Sequence, residues 1–159
     1  VKRTLMRRQV LKIVGGMALS PWPRPAASDQ ADGIQQTEAA LLAATEEGSI
    51  LQIDLEDLCH TFKLCGSSPV SFTVTNHDAN KVLDACRDAL AQMPSHGVKV
   101  AVVVCSGNGK NFRLTNCAEV FRVVQHAMYE SAYLVFGVVS DHTLVDVMRV
   151  SWLAGVRDS

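Results

Sequence analysis

Residues 98–105 run Val-Lys-Val-Ala-Val-Val-Val-Cys, and every position but Lys99 is apolar. Most are β-branched, which favours extended backbone, and Gly97 marks where the run opens. A strand with one wet face alternates apolar and polar residues. This one does not, so it is a strand buried on both faces. A chain of 159 residues that carries such a strand must build a sheet covered by helices around it.

The flanking periodicities supply those helices. Ile34, Leu41, Leu42 and Thr45 place one over about 33–47, ended by Gly48. Leu55, Leu58, Cys59 and Phe62 place a second, which stops near Cys65-Gly66. Val70, Phe72 and Val74 alternate with Ser71, Thr73 and Thr75, a half-buried strand. Asn76 is positioned to cap a third helix, striped by Val82, Leu83, Cys86, Leu90 and Met93. Residues 107–110, Gly-Asn-Gly-Lys, turn the chain after the buried strand. Asn116 and Glu119 form a capping-box pattern for a fourth helix, with Cys117, Val120, Phe121, Val124 and Met128 as its stripe. Residues 133–139 are an apolar strand, Asp141-His142 a connector, and residues 145–153 a last strand with Arg149 and Ser151 on its polar face. The order α-α-β-α-β-α-β-β predicts an α/β (α+β) fold, a small mixed four-stranded sheet packed with helices. The two apolar strands are expected at its centre and the two alternating ones in outer places.

Ahead of this body stands a segment of opposite charge. The first 28 positions hold six Lys or Arg and no acid, whereas residues 29–159 hold nine against sixteen Asp or Glu, a net charge of −7. An acidic body argues against nucleic-acid binding. The leader runs from basic residues through an apolar stretch, Ile13 to Leu19, to Ser20-Pro21-Trp22-Pro23 and small residues ending at Ser28. That order is the layout of an export signal, and Arg7-Arg8 followed by Val10, Leu11 and Lys12 resembles a bacterial twin-arginine signal. The expected organisation is a signal over 1–28 and one domain over 29–159. The export machinery would be a partner, and the periplasm the destination. The apolar stretch is far shorter than the roughly 20 residues a membrane-spanning helix needs.

The body resembles the C-terminal domain of FtsZ, the bacterial division protein related to tubulin. Gly48-Ser49-Ile50-Leu51-Gln52-Ile53-Asp54-Leu55-Glu56-Asp57 is similar to that family's loop Gly-Leu-x-Asn-hydrophobic-Asp-Phe-x-Asp, with Gln52 in place of the asparagine. Residues 97–102 resemble its central strand, Leu114 to Met128 its next helix, and residues 136–141 and 148–155 its final two strands. The resemblance covers about 33–156 and implies that residues 33–47 form the helix leading into the loop. In the family that loop reaches the nucleotide of the neighbouring subunit, so Ile50, Leu51, Gln52, Asp54 and Asp57 are the candidate interaction loop. The family's nucleotide-binding domain would precede residue 33, where the leader stands. Residues 107–110 lack the spacing and the Ser/Thr of a phosphate-cradling loop. No GTP binding by this chain, and no other cofactor, is expected.

Asp54 and Asp57 also have a plain structural role, since an N-cap and a first helical turn both favour carboxylates. As in-trans catalytic candidates they would need a phosphate presented by another subunit. The five cysteines include no Cys-x-x-Cys, no zinc spacing is present, and four of the five fall among apolar residues. A Cys59–Cys65 bridge is compatible with the spacing alone. His60, His77, His96, His126 and His142 are scattered and suggest no nucleophile partner. The expectation is an exported, non-catalytic protein-interaction module. The alternative is a cytoplasmic regulator that caps FtsZ filaments or stimulates their GTP hydrolysis through Asp54 and Asp57. Cell fractionation should find the natural chain in the periplasm and the Arg7→Lys, Arg8→Lys form in the cytoplasm. Both forms in the cytoplasm would remove the export reading.

Overall fold

In the computed structural model, residues 20–21, 27–65, 69–93, 98–128 and 132–156 are described, and the apolar run forms the middle of strand β3 (Val98–Asn108). Val100 through Cys105 are each 0 % exposed, so both faces are covered as the sequence requires. Val100, Val102 and Val104 enter one core with Leu41, Leu58, Phe62 and Leu153. Ala101, Val103 and Cys105 enter the other with Val82, Cys86, Val120, Val124 and Trp152. Helices α1 (Ala27–Ala43) and α2 (Leu55–Cys65) cover the first face, and α3 (Ala79–Ala91) and α4 (Leu114–Ala127) the second. Each fully buried valine contributes about 1.5–3 kcal/mol.

The remaining strands are β1 (Ser20–Pro21), β2 (Val70–Asn76), β4 (Tyr133–Val145) and β5 (Met148–Val156), in the sheet order β1-β2-β5-β3-β4. β1 runs parallel to β2, β3 runs parallel to β4, and β5 is antiparallel to both β2 and β3. The mixed α/β class and the order of the four long strands and four helices stand as expected. β1 adds a two-residue strand to the sheet.

Several expectations are overturned. The second apolar strand, β4, lies at the sheet edge, and β5 takes the interior place. Here the apolar pattern reports helix contacts on one side and the loop of residues 48–54 on the other, not a neighbouring strand. Ser151 sits at an interior position, not on a polar face; it is 0 % exposed, and its hydroxyl meets Thr73 Oγ1 at 2.9 Å across β2 and β5. Asp141 and His142 belong to β4, and the chain reverses instead at Asp146-Val147, where Asp146 takes φ 53°. Asp tolerates that left-handed turn conformation, which the Asp-His pair had suggested five residues too early. Asp78, not Asn76, caps α3 by accepting from Asn80 N–H, and Asn76 Oδ1 accepts from Asp78 N–H one step earlier. α4 begins at Leu114 behind Arg113, with no side-chain cap, so Asn116 is inside the helix and Glu119 pairs with Arg122 at 2.6 Å.

Helix α1 starts at Ala27 and ends at Ala43, earlier at both ends than 33–47. Its end is set by Thr45 N–H to Leu42 O and Glu46 N–H to Ala43 O, three-residue bonds that tighten the chain out of helical geometry. The start of α1 and all of β1 therefore fall within the segment expected to be a leader. Arg7 and Arg8 lie outside the described residues, as do Gly66, His96 and Gly97.

All five cysteines are free thiols. Burial pushes Cys65 and Cys86 up to about 12, and a hydrogen bond with Cys117 together with burial raises Cys105. Only Cys59 is partly exposed. In the folded protein at about pH 8, a thiol-titrating reagent should label Cys59 first and the other four only on unfolding. Rapid native labelling that survives Cys59→Ser would contradict this core.

Candidate functional site

The loop between α1 and α2 is fixed at nearly every step. Gly48 takes φ +89°, a conformation that costs glycine little and other residues more. Ser49 Oγ lies 3.0 Å from Ala43 O, at the end of α1, and from Glu46 O in the turn beyond it, its one proton shared between them. Leu51 pairs with Val138 on the outer edge of β4 through two backbone bonds of 3.1 and 3.0 Å. Gln52 Nε2 donates to Thr45 O at 3.0 Å, and Ile53 N–H donates to Ala44 O at 2.8 Å. Ile53 then plugs into the α1–α2 core at 2 % exposure. Gly137 makes room for that plug: a Cβ there would stand 2.9 Å from Ile53 Cδ1 and 3.0 Å from Ala44 Cβ.

Asp54 caps α2, its Oδ1 accepting from Glu56 N–H at 2.7 Å. Asp57 lies in the first turn, and its Oδ1 accepts from Tyr133 Oη at 3.3 Å. Tyr133 opens β4 and packs edge-on to His60, ring centroids 5.4 Å apart. Partial desolvation, then the Asp57 carboxylate, raise the Tyr133 phenol above its ordinary value. The structure thus sets the five candidate loop residues along the outer edge of β4, from Leu51 beside Val138 to Asp57 beside Tyr133. Ile50 and Leu51 are 50 % and 46 % exposed, and Gln52, Asp54 and Asp57 are exposed as well. Tyr133 and His60 join them unannounced, because Tyr133 reaches Asp57 across 76 residues and no local pattern encodes that contact.

Asp54 acts as a cap and Asp57 as an acceptor for a phenol. Among the described residues, no three His, Cys, Asp or Glu are grouped to hold a metal, and no helix is long and apolar enough to cross a membrane. His77, His126 and His142 are exposed on separate elements away from the loop.

No family model matches the chain, and no curated protein does. Solved structures do. The W319Y mutant of FtsZ from M. jannaschii superposes with a TM-score of 0.64 at 16 % identity, covering 77 % of this chain and 37 % of that one. An empty FtsZ dimer from the same organism gives 0.62 at 16 % identity, covering 94 % and 43 %. The fold is FtsZ-like. CetZ2 from Haloferax volcanii, in a GTPγS-bound protofilament, gives 0.53 at 16 % identity, covering 86 % of this chain and 44 % of that chain. The chain spans less than half the length of each, as a C-terminal-domain-like unit of the FtsZ fold would.

Gly137→Ala should destabilise the protein by about 1–3 kcal/mol, because the loop cannot seat Ile53 beside an added methyl. Asp54→Ala should cost about 1 kcal/mol through the lost cap. Denaturant unfolding reads both, and a Gly137→Ala effect under about 0.5 kcal/mol would show that the loop is not held by this packing.

Proposed function

We propose that this chain is a non-catalytic protein-interaction module that presents its 48–57 end to a partner protein outside the cytoplasm. The observation that carries the reading is the pairing of rigidity with exposure. Ile50 and Leu51 stand half-exposed on a loop tied down by backbone and side-chain bonds on either side of them. A fixed loop loses little conformational entropy on binding, so its apolar side chains can contribute more of their burial to affinity. Asp54 and Asp57 beside them favour a partner whose apolar pocket has a cationic rim. The compartment rests on the Arg7-Arg8 leader.

The FtsZ-like fold favours a second reading for a chain retained in the cytoplasm. There the same end would dock on the nucleotide face of an FtsZ subunit, cap the filament, and bring Asp54 and Asp57 to its phosphates. Mixing the full chain with purified FtsZ and GTP separates the two. A change in polymer mass or GTP turnover that Asp54→Asn, Asp57→Asn abolishes supports the second reading, and no change removes it.

For the module itself, a photo-crosslinker at position 50 should trap a defined adduct in cells, whereas one at the exposed position 87 should not. Leu51→Asp should lower the yield at least about tenfold, equivalent to about 1.4 kcal/mol of binding. Equal labelling from positions 50 and 87, or no loss with Leu51→Asp, would overturn the loop as the partner surface.

A further inference from the structure

Where β2 and β3 finish and α3 and α4 begin lies an open polar cleft of about 480 Å³. Its size falls in the range of small-molecule sites. Its charge runs against that of the body. Lys110 and Arg113 both line it, and its one acid, Asp78, is engaged in capping α3.

Those two cations are placed by the fold. The β4–β5 turn holds the 109–113 loop, with Lys110 N–H donating to Asp146 Oδ1 at 3.0 Å and Asn111 Nδ2 donating to Asp146 O at 2.8 Å. Arg113 Nε donates to Lys110 O at 3.4 Å, which steadies the guanidinium and leaves its terminal nitrogens available. Neither cation makes an ion pair among the described residues, although acids outnumber bases in the body by sixteen to nine. Asn80, Thr115 and Asn116 add neutral donors to the same wall. α3 and α4 lie side by side on one face of the sheet and both start at this cleft; no side chain caps α4, whose Asn116 N–H donates to Arg113 O. Their dipoles add to the positive potential that the two cations establish.

We propose that this cleft binds the phosphate group of a small soluble molecule. A phosphate oxygen cluster accepts several hydrogen bonds at once, and the wall offers an ammonium, a guanidinium fork, and amide and hydroxyl donors. A carboxylate would leave most of these donors unused. Nucleic acid is disfavoured by the acidity of the surrounding body. The site is separate from the loop end, and the inference does not rest on the proposed partner surface.

The test is an NMR titration of the full chain with inorganic phosphate, with chloride at matched ionic strength and acetate as parallel arms. Phosphate should give saturable shifts at the Asn80, Thr115 and Asn116 amides. The Lys110→Ala, Arg113→Gln variant, with unchanged far-UV circular dichroism, should bind at least about tenfold more weakly. Loss of both charges tests the site without touching the core, since both side chains are exposed. Linear, non-saturating shifts, an acetate response equal to that of phosphate, or undiminished binding by the variant would each overturn the proposal.

Discussion

Everything in this fold follows from burying β3 on both faces. A strand with alternate residues entering two separate cores needs a helical layer on each side. It also needs strands on both flanks to satisfy its backbone, and β4 and β5 provide them. Helical connections then leave β2, β3 and β4 pointing the same way, with β5 returning between β2 and β3. Parallel strands place helix starts at one end of the sheet and loop entries at the other. The cationic cleft lies where β2 and β3 finish, whereas the acidic loop runs along the outer edge of β4, from Leu51 beside Val138 to Asp57 beside Tyr133.

The loop depends on the same layer. Its conformation is a chain of attachments: to the end of α1 through Ser49, to the turn after it through Gln52, to β4 through Leu51, and to the α1–α2 core through Ile53. These attachments leave the Ile50 side chain unused, while Asp54 adds the α2 cap and Asp57 the bond from Tyr133 Oη. Structural and surface duties are thus divided between neighbouring residues. A partner could bury the exposed ones without taking the loop apart.

Much of this was legible in the sequence, and the gaps have physical causes. Helices α2, α3 and α4 announced themselves because their buried residues recur at helical spacing, as Val82, Leu83, Cys86 and Leu90 do. The loop was legible by resemblance, and its five candidate residues do stand together. Places in the sheet were not legible. β4 is apolar like a central strand because α4 packs on one side of it, stacking Phe121 on Phe136 at 4.4 Å, while the loop leans on the other. Ser151 is polar yet interior because Thr73, the cross-strand partner on the adjacent strand, satisfies it. Tyr133 and the cleft were invisible for a common reason, since each joins segments distant in sequence through contacts that leave no periodic trace. Caps were misplaced by two or three residues because Asn and Asp are both good caps, and which one is used depends on where the preceding strand lets go.

The Leu51–Val138 bridge has a further consequence. β4 is a long outer strand, and such an edge displays backbone donors and acceptors that could recruit a strand from another molecule. By seating Leu51 across the middle of that edge, the loop interrupts the template at the point where a new strand would have to align. The segment proposed as the partner surface is also the latch that keeps the sheet from growing.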